Sequence, residues 1–109
     1  MKEYAEFVRS IDFTDKAPIT TGVVHHALSL AGEVGELCGK VVKQYYRRAD
    51  WPHGEFHYKV IGELGDCLYH LTALCNCFGV PIEDLAAHNM AKLKNRQQKG
   101  TLVGEGDDR

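Results

Sequence analysis

Four carboxylates recur in one pattern. Glu33 and Glu36 stand in Gly32-Glu33-Val34-Gly35-Glu36, and Glu63 and Asp66 in Gly62-Glu63-Leu64-Gly65-Asp66. Residues three apart share a helix face, so on helices each copy presents two acids side by side. Converging carboxylates repel unless one is protonated or a cation neutralises them. An oxygen-only set of this kind suits a hard divalent ion, Mg²⁺ or in its place Mn²⁺. Each interior glycine costs a helix about 1 kcal/mol relative to alanine. Glycines repeated beside the acids imply that a backbone or a ligand must approach clustered negative charge there.

Cations follow at helical spacing. Lys40 and Lys43 continue beyond Glu36, and Asn89, Lys92 and Arg96 fall on one face of a later segment. Metal held by carboxylates beside Lys and Arg is the arrangement phosphoryl transfer needs, because the cations neutralise charge on phosphate oxygens. Histidine spacing points elsewhere: a di-iron bundle wants Glu-x-x-His on two helices, and this chain has none. None of the six histidines is therefore expected to ligate the metal. Cys38, Cys67, Cys75 and Cys77 lack a zinc-type spacing and are expected to be small core residues. Trp51, Tyr45 and Tyr46 are expected to pack at a helical turn rather than stack on a base.

The elements that must position these groups are helices. Apolar residues recur at three- and four-residue intervals, and no strand-length alternation is present, so the class is all-α. Four helices are expected. The first covers residues 2–11, with Tyr4, Phe7, Val8 and Ile11 on its apolar stripe. The second starts at a Thr20 or Thr21 cap and runs to residue 48, burying Val24, Leu28, Ala31, Val34, Cys38, Val41 and Tyr45. The third is capped by Asp50 and runs to residue 78, with Val60, Leu64, Cys67, Leu68, Leu71 and Leu74 inward. Gly79-Val80-Pro81 ends it, and the fourth covers residues 82–99 with Leu85, Met90 and Leu93 apolar. Helices joined by a short turn lie antiparallel. The midpoints of Glu36 with Glu63, and of Glu33 with Asp66, both fall between Ala49 and Asp50, so the hairpin is expected to bring all four acids level.

Composition bounds the rest. A chain of 109 residues is expected to form a single domain, 1–109: an N-terminal helix and loop over 1–20, a helical core over 21–99 and a flexible tail over 100–109. That size lies near the range where oligomerisation helps a core. A net charge of −2 gives no global basic field for nucleic acid. No apolar run is long enough for a membrane, and the start has no signal-peptide h-region, so a cytoplasmic location is expected.

The Glu33-x-x-Glu36 … Glu63-x-x-Asp66 pattern resembles that of the all-α nucleotide pyrophosphohydrolases, the MazG-like group related to dimeric dUTPases. The stretch from His26 to Lys43 is similar to their first motif helix. Asn89-Met90-Ala91-Lys92-Leu93 … Arg96, with Gly100 and the Gly104-to-Arg109 end, is similar to the closing segment of small MazG-like proteins of phages and bacteria. The resemblance covers residues 22 to 109. It implies hydrolysis of a nucleoside triphosphate between its α and β phosphates, giving monophosphate and pyrophosphate. Glu33, Glu36, Glu63 and Asp66 would then ligate Mg²⁺, one of the acids would orient or deprotonate the attacking water, and Lys40 or Lys43 with Asn89, Lys92 and Arg96 would contact the nucleotide. It also implies a helical core completed in a homodimer or homotetramer. The competing reading is a non-catalytic helical interaction module with an acidic docking face.

Overall fold

The structure is a computed structural model describing all residues, Met1–Arg109. Four helices follow in order: α1 (Lys2–Ile11), α2 (Ile19–Tyr45), α3 (His53–Phe78) and α4 (Ile82–Lys99). No strand is present. The all-α class, the four-helix count and the limits of α1 and α4 agree with the periodicity.

Prolines set three helix starts. Pro18, Pro52 and Pro81 each immediately precede a helix, with φ between −51° and −59° and extended ψ. The ring holds φ near the value a first turn needs and has no N–H to leave unsatisfied. The expected side-chain caps are therefore corrected. α2 begins before Thr20 and Thr21, and Asp50 lies in the linker at φ 55° rather than at the head of α3. α2 also ends at Tyr45, three residues short of expectation. Gly79 and Gly100 close α3 and α4 in the left-handed region, as a glycine C-cap should. Behind Gly79, Val80 N–H reaches back 3.0 Å to the Cys75 carbonyl.

The long antiparallel hairpin of α2 and α3 is the body of the molecule. At its turn, the Gln44 side-chain amide donates to the Trp51 carbonyl and accepts from the Trp51 N–H, both at 3.1 Å. Trp51 stacks near Phe56, Tyr45 meets Phe56 edge-on, and the Lys59 ammonium lies 5.0 Å over the indole. α1 packs on the far end of α3, where Val8 is fully buried and Asn76 bonds the Ala5 carbonyl at 3.1 Å. α4 touches the remainder chiefly through α3.

Little of the apolar surface is covered. Only ten residues are buried, and the hydrophobic ones are Val8, Ala73 and Cys75. The expected α2 stripe is corrected here: Val24, Leu28, Ala31, Val34, Cys38 and Tyr45 are exposed, and of that set only Val41 is half-buried. α2 turns a different face to α3, one carrying His26, Glu33 and Lys40 at seven-residue intervals. On α3, Leu64 and Leu68 are likewise exposed, as are Phe7, Ile11, Met90 and Leu93 on the outer helices. Cys38 is exposed, Cys67 and Cys77 are half-buried and Cys75 is buried; all four are free thiols.

Candidate active site

The two acidic copies lie on α2 and α3, and the hairpin brings three of their four carboxylates together. One oxygen from each of Glu33, Glu36 and Glu63 lies within 4.8 Å of the other two. Glu63 is buried, Glu33 half-buried and Glu36 exposed, so the set grades from the seam between the helices outward. Asp66 stands off on the exposed side. Its charge still reaches the cluster, since it contributes to raising the Glu33 carboxyl, and it faces Tyr4 of α1. Between the helix ends at Tyr45 and His53, Arg48 and Asp50 both take positive φ.

The electrostatics divide the acids. Burial, and then the charges of Glu36 and Asp66, push the Glu33 carboxyl above its ordinary value. Glu63 moves the other way. The ammonium of Lys40 bonds its Oε1 and holds its carboxyl below the ordinary range, against burial. Each keeps one buried oxygen with no partner: Glu33 Oε2 and Glu63 Oε2. Two orphaned carboxylate oxygens in an oxygen-only set are what a hard divalent ion satisfies. Mg²⁺ therefore fits the residues present, with Glu33, Glu36 and Glu63 as the donors at hand.

Of the remaining expected residues, all but Lys40 lie apart from this cluster. Lys40 is in it, as the ion-pair partner of Glu63. Lys43 is exposed and forms no ion pair. Asn89 is exposed on α4, where it lines a shallow cleft with Met90, Leu93 and Leu102. Lys92 and Arg96 both pair with Asp107, at 3.6 and 3.4 Å, and Arg96 also donates to the Asp107 carbonyl at 3.1 Å. No hydrogen bond or ion pair joins α4 to the carboxylates.

The glycines beside the acids behave unexpectedly. A Cβ built on Gly32, Gly35, Gly62 or Gly65 would meet nothing within 4 Å. Within one chain, then, no backbone approaches them, and the face they thin is open. The clefts of about 610 and 450 Å³ both run along α1, lined by neither Glu33, Glu36 nor Glu63. The helix glycine that does enforce a close approach is Gly22, whose Cβ would come within 3.0 Å of Cys77 Sγ and 3.1 Å of Thr14 Oγ1.

One buried polar group was missed by reading residues alone: Asp12, His26 and His70, linked at 2.9 Å and 3.0 Å. The signal lay in the sequence as spacing. His26 precedes Glu33 by the interval that separates Glu63 from His70, which places all four on one seam of an antiparallel pair.

Comparison with known proteins agrees with the geometry. Residues 24–101 match the MazG nucleotide pyrophosphohydrolase domain family, a span that holds both acidic copies and Asn89, Lys92 and Arg96. The chain is similar to the gene 37 protein of Mycobacterium phage L5, at 30% identity over 88 residues, which cover 81% of this chain and 77% of that protein. No solved structure matches. A family match over most of the chain, on helices that converge their acids, assigns it: the chain belongs to the MazG nucleotide pyrophosphohydrolase family.

Proposed function

We propose that this protein hydrolyses a nucleoside triphosphate between the α and β phosphates, releasing the monophosphate and pyrophosphate, with Mg²⁺ as cofactor. The observation that carries this reading is the meeting of three carboxylates, two with orphaned buried oxygens, in a chain of this family. Glu33, Glu36 and Glu63 would hold the metal, with Asp66 the fourth acid of the set. When bound, the ion neutralises phosphate charge and lowers the pKa of water.

The chain's own residues supply the other roles. One of the acids would orient the attacking water or take its proton. Lys40 holds Glu63 ionised and would contact a phosphate oxygen of the bound nucleotide. Lys43, Asn89, Lys92 and Arg96 contact the nucleotide. The pairing of Lys92 and Arg96 with Asp107 is consistent with this role, because one anion already bridges both cations.

A recess for the base needs a second copy. The face with Gly32, Gly35, Gly62 and Gly65 is open, and apolar side chains border it. The protein is therefore proposed to work as a homodimer or homotetramer, with a neighbouring chain laid over that face.

A panel of triphosphates assayed for pyrophosphate release with Mg²⁺ tests the activity. Glu36→Gln and Glu63→Gln are each expected to lower the rate by more than about tenfold, the scale on which lost metal-site groups act. An unchanged rate in either overturns the assignment. The docking-module reading requires that Mg²⁺ and a non-hydrolysable triphosphate both fail to bind, which calorimetry measures directly.

A further inference from the structure

Two helical turns along the hairpin from the carboxylates, the same seam is lined by imidazoles. His26 on α2 is completely buried and His70 on α3 is 9% exposed. Their Nδ1 atoms face each other at 3.0 Å. Half-buried His25 stands beside them, its ring centroid 4.8 Å from that of His26 and 6.0 Å from that of His70. One ring nitrogen from each of the three lies within 4.8 Å of the other two.

Hydrogen bonds constrain where the ring protons sit. The Asp12 carboxylate accepts from the Thr14 N–H at 2.8 Å and from the Thr14 hydroxyl at 2.7 Å, both at Oδ1. Its Oδ2 lies 2.9 Å from His26 Nε2. Burial works to raise the Asp12 carboxyl, but the bonds from Thr14 and His26 outweigh it and hold it below its ordinary value. An ionised carboxylate only accepts, so His26 carries a proton on Nε2, and the 3.0 Å contact between the two Nδ1 atoms holds one further proton, which an incoming metal ion would displace. A carboxylate on the remote nitrogen of an imidazole is the device that fixes tautomer and ring orientation in metal-ligating histidines. At His70, burial, and then the charges of His26 and His25, hold the pKa below the ordinary histidine value. That shift favours the neutral ring, which has one lone pair.

We propose that His25, His26 and His70 form a second metal site, distinct from the carboxylates, for a borderline-soft divalent ion such as Zn²⁺, with Asp12 orienting His26. Donor chemistry separates the two sites: neutral imidazole suits Zn²⁺, Co²⁺ and Ni²⁺, whereas carboxylate oxygen suits Mg²⁺. Bonds of about 2.0–2.1 Å in a tetrahedral site hold ligand nitrogens about 3.3 Å apart. His26 and His70 need to part by only a few tenths of an ångström from 3.0 Å. His25, on the half-buried side, has the freedom to draw in. Water takes the fourth position. At about 1.5 Å rise per residue, seven residues put this site roughly 10 Å from Glu33 and Glu63 along the hairpin. Occupancy would tie α2 to α3 and, through Asp12, to the α1–α2 loop.

The test uses the full chain stripped of metal and saturated with Mg²⁺, titrated with Co²⁺ as the probe. One equivalent per chain is expected to bind with the intense visible absorption of four-coordinate Co²⁺. Zn²⁺ should displace it and raise the melting midpoint in a concentration-dependent way. His25→Ala removes a half-exposed side chain and leaves the buried pair in place, so circular dichroism should be unchanged while Co²⁺ affinity falls at least about tenfold; Asp12→Asn should weaken binding about 10- to 100-fold. Three results overturn the proposal: no Co²⁺ absorption, a pale six-coordinate spectrum that Mg²⁺ competes away, or parental binding by His25→Ala. The readout is the metal's own spectrum, so it stands apart from the hydrolysis assay.

Discussion

At the residue scale, Glu33 and Glu63 respond to pH in opposite senses. Glu33 has its carboxyl raised, first by burial. Its contribution to stability is full below the ordinary glutamate value and is lost as pH rises through the higher folded value. Glu63 is lowered, first by the Lys40 hydrogen bond. Its contribution is present above the ordinary value and is lost as pH falls through the folded one. Mg²⁺ needs both ionised, so its affinity should fall on acidification with a midpoint above the ordinary carboxylate range, and binding should release protons there. Calorimetry in buffers of different ionisation enthalpy measures that release; a midpoint at or below an ordinary glutamate counts against the cluster as the metal site. Lys40 gives a companion test. Lys40→Met leaves the buried Glu63 without its cation, so the melting midpoint in chelator should drop, and Mg²⁺ should restore more stability than it adds to the parent chain. Equal Mg²⁺ effects in both chains would show that Lys40 and the metal do not share Glu63.

Among the helices, the glycines separate into two kinds. Gly22 lies where α2 crosses the α1–α2 loop and the end of α3, with Cys77 and Thr14 against it. Gly22→Ala should lower the melting midpoint although alanine favours helix, because overpacking costs about 1–3 kcal/mol. Gly35 and Gly65 have open space instead. In an isolated chain Gly35→Ala should raise helix stability by about 1 kcal/mol. Loss of association or of triphosphate binding in that variant, with helicity kept or increased, would show that something outside the chain uses the open face. The limits of α1, α3's end and α4 were legible because proline and glycine act locally. The starts of α2 and α3 were misread because Thr20, Thr21 and Asp50 are good caps in general, yet Pro18 and Pro52 had already set the backbone one or more residues away.

At the scale of the whole molecule the single chain is open. Its radius of gyration is 16.9 Å, against about 13 Å for a compact chain of this length. Leu28 is 70% exposed on a stripe with Val24 and Tyr45, and Leu68 and Ile61 are exposed on α3. A monomer rarely leaves so much apolar helix surface to water. Sedimentation equilibrium at micromolar concentration is expected to give a dimer or larger, and Leu28→Glu should dissociate it and abolish hydrolysis. A fully active monomer contradicts the proposal. In an isolated chain the same change at an exposed position would move stability by no more than about 0.5 kcal/mol.

Period, punctuation and the doubled acidic unit determined the helix count, the hairpin and the clustering of carboxylates, because helical spacing and turn chemistry are properties of neighbouring residues. The register between α2 and α3 was decided only in three dimensions. Glu33, Glu36 and Glu63 meet within 4.8 Å of one another, a group that does not include Asp66. The facing of α2 was decided there too: a helix apolar on more than one side carries no local mark of which side meets its partner, and packing turned His26, Glu33 and Lys40 inward. The buried contacts of Asp12 with His26 and of His26 with His70 join residues 14 and 44 positions apart. Only the closed hairpin, which brings distant positions to one level, could make them neighbours.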